Sequence, residues 1–229
     1  MKKKIAIFEI EYHLGFVKTL VELIDFQNYS VSIFTIKSNV VELKEILGNN
    51  FKKVKIETPK KNLLGFLYNF YKESKKYDLC FYFTIQSYFF LLPFRYLFFP
   101  KCNTILIALR VENYLGNLFH STQKKNNIIS FIKNFFFNLI RFFIIKSSDA
   151  VITSGERDVK ILKSKHREKN IFEIPYAVSS NKFNFKNKKL LTIGVPGAVD
   201  EVRRDYFQIL NLFKSLSKFK NEIELILIG

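Results

Sequence analysis

The sequence contains only two cysteines, and their positions argue against two classes of protein. Cys80 and Cys102 lie in strongly apolar neighbourhoods, without another Cys or a His at metal-ligand spacing. This argues against a disulfide-stapled secreted domain and against a cysteine metal site. Both residues are predicted to be buried free thiols, which fits a reducing compartment.

Acidic residues are also scarce. The chain has 20 Asp and Glu against 37 Lys and Arg, which gives a formal net charge of +17. This charge predicts attraction to an anion such as nucleic acid, an acidic membrane surface or a phosphorylated ligand. The lysines are scattered and no glycine-and-aromatic RNA motif occurs, which argues against nucleic acid. A codon bias that raises Lys, Asn, Ile and Phe together is the alternative explanation of the charge.

The two longest apolar segments are both interrupted by polar residues. Residues 79–99 contain Gln86, Pro93 and Arg95. Residues 128–146 approach the ~20 residues of a membrane span, but their polar residues recur every three or four positions and form one stripe on a helix. This second segment is therefore predicted to be an amphipathic helix with a broad Phe and Ile face. It either packs on the core or lies at a membrane surface.

Strand and helix signals alternate along the chain. The first apolar run ends at Glu9 and Glu11, which indicates a strand rather than a signal peptide. Further apolar strands alternate with helices, and this order predicts an α/β fold with a Rossmann-like parallel sheet. Ligands of such sheets bind beyond the carboxyl ends of the strands. The segments that follow predicted strands are 9–15, 84–87, 110–113, 153–157 and 194–204.

Four segments stand out by their order along the chain. They are His13-Leu-Gly-Phe16 after the first strand, Ser148-Asp-Ala-Val-Ile-Thr-Ser154, Ile171-Phe-Glu-Ile-Pro-Tyr-Ala-Val178, and the strand, glycine turn and basic pair within 190–210. In this order they resemble family 4 glycosyltransferases of the GT-B fold. The resemblance covers essentially the whole chain, although each motif alone is weak.

The resemblance implies two Rossmann-like domains that face each other across a cleft. Residues 1–182 would form the N-terminal, acceptor-type domain. Residues 183–229 would form the first strand, helix and strand of the C-terminal domain, which binds the nucleotide sugar. The polar, lysine-rich residues 181–189 predict a linker between the two domains.

The donor domain of this family continues with an E-x7-E pattern, whose glutamates contact the donor sugar and the ribose. No two glutamates of this chain are eight residues apart. We therefore expect a chain truncated within the donor domain, which lacks transferase activity by itself. A truncated reading frame, a split enzyme completed by a second chain and a partial sequence are the three alternatives.

The resemblance assigns donor-binding roles to three residues. Gly197 corresponds to the glycine turn whose backbone approaches the donor diphosphate, and Arg203 or Arg204 to the basic residue that contacts it. Arginine suits this role because a fixed guanidinium stabilises the charge that develops on a leaving diphosphate. The alternative is an ordinary strand-turn-helix with solvated arginines. The chain departs from the family at Ala198, where an Arg often follows the glycine.

Acceptor-binding roles fall on residues after the first and fifth predicted strands. His13 and Gly15 would lie on the acceptor side of the cleft, after the first strand. Arg110, Glu112 and Asn113 follow the fifth strand and would bind acceptor hydroxyls or phosphates. For His13, the alternative is an ordinary histidine in a loop. For Arg110 and Glu112, the alternative is a structural salt bridge between them.

The resemblance places one catalytic candidate, His120, near the donor sugar. No metal-ligand cluster, Walker A loop or G-x-G-x-x-G fingerprint occurs in the sequence. Neither a metal nor a cofactor is therefore expected, and the nucleotide sugar would be a substrate.

The resulting hypothesis is a retaining, hexosyl-transferring glycosyltransferase, or a fragment of one, in surface polysaccharide or glycoconjugate synthesis. Its partners would be a nucleotide sugar, a glycan or lipid-linked acceptor, an anionic membrane and a second chain that completes the donor domain. The expected location is the cytoplasm, peripherally on the inner face of the cell membrane. One alternative is a non-catalytic scaffold derived from such an N-terminal domain. Another is a response-regulator-like domain, which the lack of an acidic cluster after the first strand argues against.

Overall fold

The computed structural model describes residues 2–11, 13–60, 62–83, 91–109, 128–174, 191–196, 214 and 223–228. The chain divides into two compact units, Met1–Val178 and Ser179–Gly229. The sequence predicts a domain boundary after residue 182, and the first compact unit ends at Val178. The functions assigned to the two domains stay predictions.

The first unit contains a seven-stranded sheet in which all neighbouring strands are parallel. Its strand order is β3-β2-β1-β4-β5-β6-β7. The strands are β1 (Lys3–Phe8), β2 (Tyr29–Phe34), β3 (Val54–Glu57), β4 (Leu79–Phe83), β5 (Asn103–Ile107), β6 (Ala150–Thr153) and β7 (Asn170–Glu173). This order confirms the predicted α/β, Rossmann-like sheet. The chain builds outward from β1 in one direction and from β4 in the other, so the topological switch point lies between these two strands.

Helices connect the strands of this sheet. They are α1 (Leu14–Leu23), α2 (Asn39–Leu47), α3 (Leu63–Glu73), α4 (Leu92–Leu97), α5 (Ile128–Ser147) and α6 (Glu156–Lys165). Gly48 ends α2 with a φ of +51°, a left-handed conformation that glycine adopts without strain. The sequence predicted a third strand over 51–58. Its first part is instead a 3-10 turn, Gly48–Lys53, and the strand begins only at Val54.

The sheet carries an apolar core on each face because successive side chains of a strand point to opposite sides. One core collects aromatic rings around Phe8, which lies 4.4 Å from Phe70 and 5.2 Å from Tyr82 between ring centroids. The other contains Ile7 and Phe83 together with the buried side of α1. The near-continuous apolar strands of the sequence are explained by this burial on both faces.

The two longest apolar segments of the sequence form different structures. Residues 79–99 form β4 and α4 with undescribed residues between them. Residues 128–147 form the single helix α5, as the amphipathic spacing predicted. Within the described part of the chain, no helix combines the length and apolarity that a membrane span requires.

The two cysteines differ in environment. Cys80 in β4 is fully buried, whereas Cys102, just before β5, is partly exposed; both are free. The prediction of buried free thiols is thus confirmed for Cys80 but wrong about burial for Cys102. Burial raises the pKa of the Cys80 thiol well above its usual value. A hydrogen bond from Cys80 lowers the pKa of Cys102, against a smaller opposing effect of its own burial.

We predict that a thiol reagent such as DTNB labels one cysteine of the native protein and two after denaturation. The thiolate is the reacting species, so the exposed, more acidic Cys102 should react first. Replacing Cys102 with serine should abolish native labelling, whereas Cys80→Ser should leave it intact. Equal labelling rates for both native thiols would contradict the structure.

The described part of the second unit consists of two parallel strands. They are β8 (Leu191–Pro196) and β9 (Ile223–Ile228), paired from Leu191 opposite Ile223 to Pro196 opposite Ile228. Both strands were predicted from the sequence. Gly194, which was expected to begin the segment after the strand, lies within β8.

Candidate functional site

The candidate site lies at the carboxyl end of β1, beside the switch point between β1 and β4. Three polar residues follow this strand: Glu9, Glu11 and His13. Glu9 is 1% exposed and Glu11 is 5% exposed. Burying two carboxylates within three residues costs free energy unless hydrogen bonds or charges compensate them. The cluster therefore differs from an ordinary solvated loop.

Hydrogen bonds fix the conformation of this segment. The Glu9 backbone N–H continues the sheet by donating to the Phe34 carbonyl at 3.0 Å. The Glu9 side chain turns back, and its Oε1 accepts from the Glu11 backbone N–H at 2.5 Å. Its Oε2 lies 3.4 Å from His13 Nδ1. One carboxylate thus orders the turn after β1 by a hydrogen bond and lies within ion-pair distance of the imidazole that follows it.

Helix α2 holds the same segment from the neighbouring crossover. Asn39 is the first residue of α2, and its side-chain amide donates to the Glu11 carbonyl at 2.6 Å. The same amide nitrogen lies 3.2 Å from Thr35 Oγ1, just beyond β2. The ends of β1 and β2 are therefore cross-linked by a buried amide, which makes this corner rigid.

His13 caps the amino end of α1 and faces β4. Its carbonyl accepts the N–H groups of Phe16 and Val17 at 3.0 and 3.2 Å. Its ring stacks on Phe83, with centroids 6.2 Å apart and planes 20° apart. The imidazole is thus held between Glu9 and the last residue of β4, at the position where Rossmann-like sheets bind ligands.

The sequence places Gly15 in the segment 9–15 that follows the first strand, and the structure places it in the first turn of α1. Among the described residues, no atom outside the immediate chain lies within 4 Å of a Cβ built on Gly15. The described part of the chain therefore leaves space above the helix start, next to His13, where a ligand can approach the backbone closely.

A buried arginine supports the same strand ends from the opposite face of the sheet. Arg95 of α4 is 1% exposed. Its Nε donates to the Tyr82 hydroxyl at 2.9 Å, and its Nη2 donates to the carbonyl of Phe83. The guanidinium carbon lies 4.2 Å from the Tyr82 ring centroid and 5.4 Å from that of Phe8. Burial raises the pKa of the Tyr82 hydroxyl, and the Arg95 charge offsets part of that rise.

The structure describes two of the predicted site residues, His13 and Gly15, and brings both to the switch-point edge. The others lie outside the described residues; they are Arg110, Glu112, Asn113, His120, Gly197, Arg203 and Arg204. Within the described ranges, no group of three or more His, Cys, Asp or Glu side chains could hold a metal ion.

Sequence reasoning missed Glu9, Glu11 and Arg95. The segment 9–15 was predicted to lie at the ligand-binding edge, but its two carboxylates were taken as the end of an apolar run and given no role in the site. Their position also corrects the argument against a response-regulator-like domain, since an acidic pair does follow β1. The strand order instead argues against a response-regulator-like domain, because it differs from the 2-1-3-4-5 order of flavodoxin-like domains.

The arrangement suits a hydroxyl-bearing ligand. Carboxylate oxygens accept hydrogen bonds from hydroxyl groups, and an imidazole beside a carboxylate can hold a proton or pass it on. Glu9 orients His13, and Asn39 fixes the backbone of Glu11. The corner therefore offers oriented polar groups at the edge of an apolar sheet.

Neither the known family models nor the curated proteins include a match to this sequence. Solved structures do resemble it. UGT2 of Phytolacca americana, complexed with UDP-2-fluoro-glucose and pterostilbene, is 10% identical with a TM-score of 0.55, covering 100% of this chain and 72% of that one. HepE of Anabaena, in complex with UDP-glucose, is 9% identical with a TM-score of 0.54, covering 99% and 69%.

The glycotransferase of kitacinnamycin is 11% identical with a TM-score of 0.50, covering 99% of this chain and 65% of that structure. The chain thus spans between about two thirds and three quarters of the length of these proteins. At such low identity, the likeness concerns the fold. The chain has the Rossmann-like α/β fold found in GT-B glycosyltransferases.

Proposed function

We propose that this chain acts in the transfer of a sugar from a nucleotide-sugar donor to a glycan or lipid-linked acceptor. The observation that carries the proposal is the match of essentially the whole chain to structures that hold a UDP sugar. The buried polar corner at the switch point adds support, because it lies where a sheet of this kind binds its ligand. The order of the four sequence motifs supports a retaining transferase of the family 4 type.

The acceptor would bind at the corner after β1. His13 and Glu11 would hydrogen-bond acceptor hydroxyls, while Glu9 orients the imidazole. Gly15 would let the acceptor approach the start of α1, where no described residue fills the space above the glycine. Arg110, Glu112 and Asn113, which follow β5 in the sequence, complete the proposed acceptor set.

The donor diphosphate would bind to Gly197, Arg203 and Arg204, which follow β8 in the sequence. His120 is the proposed catalytic residue near the donor sugar. A second chain that completes the donor domain belongs to the same proposal, as does a peripheral location on the inner face of the cell membrane. The product would enter surface polysaccharide or glycoconjugate synthesis.

The donor assignment predicts that replacing both Arg203 and Arg204 with alanine weakens binding of UDP. A charge-assisted hydrogen bond contributes roughly 1.5–3 kcal/mol, so the double variant should lose about ten- to a hundredfold in affinity. A ligand-observed NMR titration with UDP and UDP-glucose measures this loss.

Lys214→Ala supplies the control, since this exposed lysine lies ten residues after Arg204 in the chain. It should bind UDP like the wild type. Unchanged UDP affinity in the arginine variant, or an equal loss in the lysine variant, would rule out a specific diphosphate site at these arginines.

A further inference from the structure

Helix α5 is apolar on two sides. Ile140, Ile144 and Ile145 are buried against the sheet. Five large side chains point away from the core and remain between 37% and 55% exposed: Phe135, Phe136, Leu139, Phe142 and Phe143. Their successive spacings of one, three, three and one residues place them in a single stripe along the helix. A core-packing helix does not require such a second stripe.

Exposed side chains of helix α4 add to this apolar surface. The Tyr96 ring lies 5.9 Å from that of Phe143 between centroids. Phe94 and Leu97, also on α4, are 38% and 65% exposed. We call these eight residues the aromatic face: Phe94, Tyr96, Leu97, Phe135, Phe136, Leu139, Phe142 and Phe143. Contiguous exposed apolar patches of this kind mark interaction sites, whereas single exposed apolar side chains do not.

Basic residues border the aromatic face at the carboxyl end of α5. The Phe142 ring lies 4.8 Å from the ring of His166, in the turn between α6 and β7. In that turn Lys169 donates to the Lys146 carbonyl at 3.1 Å and to the Ser148 carbonyl. We call the four basic residues at this end of α5 and in this turn the basic border: Lys146, Lys165, Arg167 and Lys169.

Few of the described residues beside these cations are acidic. The sequences of α4 and α5 contain no Asp or Glu. Asp149 follows α5, but its carboxylate accepts the Thr104 backbone N–H at 2.6 Å at the start of β5. Glu168 is the acidic residue within the turn that carries the border. Among the described residues, positive charges therefore outnumber negative charges around the aromatic face.

We infer that the aromatic face and the basic border together dock this protein on an anionic lipid surface. Phenylalanine and leucine side chains insert at the boundary between headgroups and acyl chains, while lysine and arginine contact acidic headgroups. A second copy of the chain is a poorer occupant, because it brings the same cations and the same net charge of +17. Acidic lipids supply both the apolar layer and the opposite charge.

The inference rests on the proposed function in one respect: a lipid-linked acceptor would be presented to the protein at this surface. Strand β5 ends at the edge that carries the candidate site, and α5 runs back toward the amino end of β6. The docking surface therefore extends along the flank of the sheet from that edge. Lipid binding itself requires neither nucleotide nor sugar transfer, so either proposal can fail while the other holds.

Vesicle flotation tests the inference with the full chain. The wild type should bind phosphatidylcholine vesicles that contain phosphatidylglycerol, and binding should weaken in high salt and without phosphatidylglycerol. The double variant Phe136→Ser/Phe143→Ser should bind about tenfold less tightly. The charge reversal Lys165→Glu/Arg167→Glu should show a similar loss, because two attractive charges become repulsive.

Matched variants on the other face of the sheet separate docking from general effects. Leu23→Ser/Val41→Ser removes two side chains that are 67% and 69% exposed on α1 and α2. Lys44→Glu/Lys52→Glu reverses two exposed charges there. Both should bind vesicles like the wild type, and circular dichroism checks that all variants fold.

Three results would overturn the inference. The wild type could fail to bind anionic vesicles at low salt. The aromatic and basic variants could bind as well as their controls. Light scattering could reveal a dimer that only the aromatic variant loses, without any vesicle binding, in which case the face is a self-association surface.

Discussion

Replacing Arg95 with alanine is expected to lower the free energy of unfolding by about 4 kcal/mol. The change leaves the Tyr82 hydroxyl and the Phe83 carbonyl without the donor they now share. It also leaves a cavity against the Phe8 and Tyr82 rings. A buried group that loses its partner costs roughly 1–3 kcal/mol, and the cavity adds to this. Urea unfolding followed by circular dichroism measures the change.

The control is Arg167→Ala, because Arg167 is an exposed residue in the turn before β7. Surface substitutions of this kind change stability by no more than about 0.5 kcal/mol. A loss below about 1 kcal/mol for Arg95→Ala would contradict a structural role for the buried guanidinium. The loss of unfolding free energy in Arg95→Lys should lie between those of Arg95→Ala and Arg167→Ala. Lysine keeps the charge but lacks the several N–H donors of the guanidinium.

The second large effect is expected at the corner after β1. His13→Ala should lower kcat/KM for the acceptor by about ten- to a hundredfold, because an acceptor hydroxyl that loses its buried hydrogen-bond partner costs roughly 1–3 kcal/mol. Glu9→Gln should cost about tenfold, because the amide keeps the shape of the side chain but no longer attracts the imidazole. The acceptor KM should rise in both variants, whereas the donor KM should not.

Gln27→Ala is the matched control, since Gln27 is exposed just before the amino end of β2, at the edge of the sheet opposite this corner. Its transfer rate should equal that of the wild type. Thermal unfolding of each variant separates lost chemistry from lost structure. Wild-type activity in His13→Ala would remove the corner from the proposed site.

The fold could be predicted from the sequence because each element carries a local signal. Apolar runs such as Ile5–Phe8 and Thr104–Ile107 identify buried strands without any tertiary information. Gly48 marked the end of α2 in advance. The third strand was predicted to begin three residues too early, because Phe51 and the following lysines alternate like a strand but form a turn.

The candidate site was harder to predict because burial depends on topology. Glu9 and Glu11 are separated from Asn39 by about thirty residues, and only the pairing of β1 with β2 brings them together. Arg95 looked like a break in an apolar segment. Its role depends on Phe8, which reaches it from β1, and on Tyr82, which reaches it from β4. Contacts between residues so far apart in the chain cannot be recognised from the local sequence.

The resemblance to family 4 glycosyltransferases predicted the fold correctly at the level of GT-B enzymes. It also directed attention to His13, which does lie at the switch point. Its statements about the donor residues, the catalytic histidine and the completeness of the donor domain concern residues beyond the described ranges or beyond this chain. These statements stay proposals, each with its own experiment.

One assay tests the central claim most directly. Membranes from the native cell, in which any completing chain is present, are incubated with radiolabelled nucleotide sugars, with and without a functional copy of this chain. We predict label in the glycan or lipid fraction that depends on this chain and is lost with His13→Ala but not with Gln27→Ala. Label that is the same with and without the chain, for every nucleotide sugar offered, would contradict a role in sugar transfer.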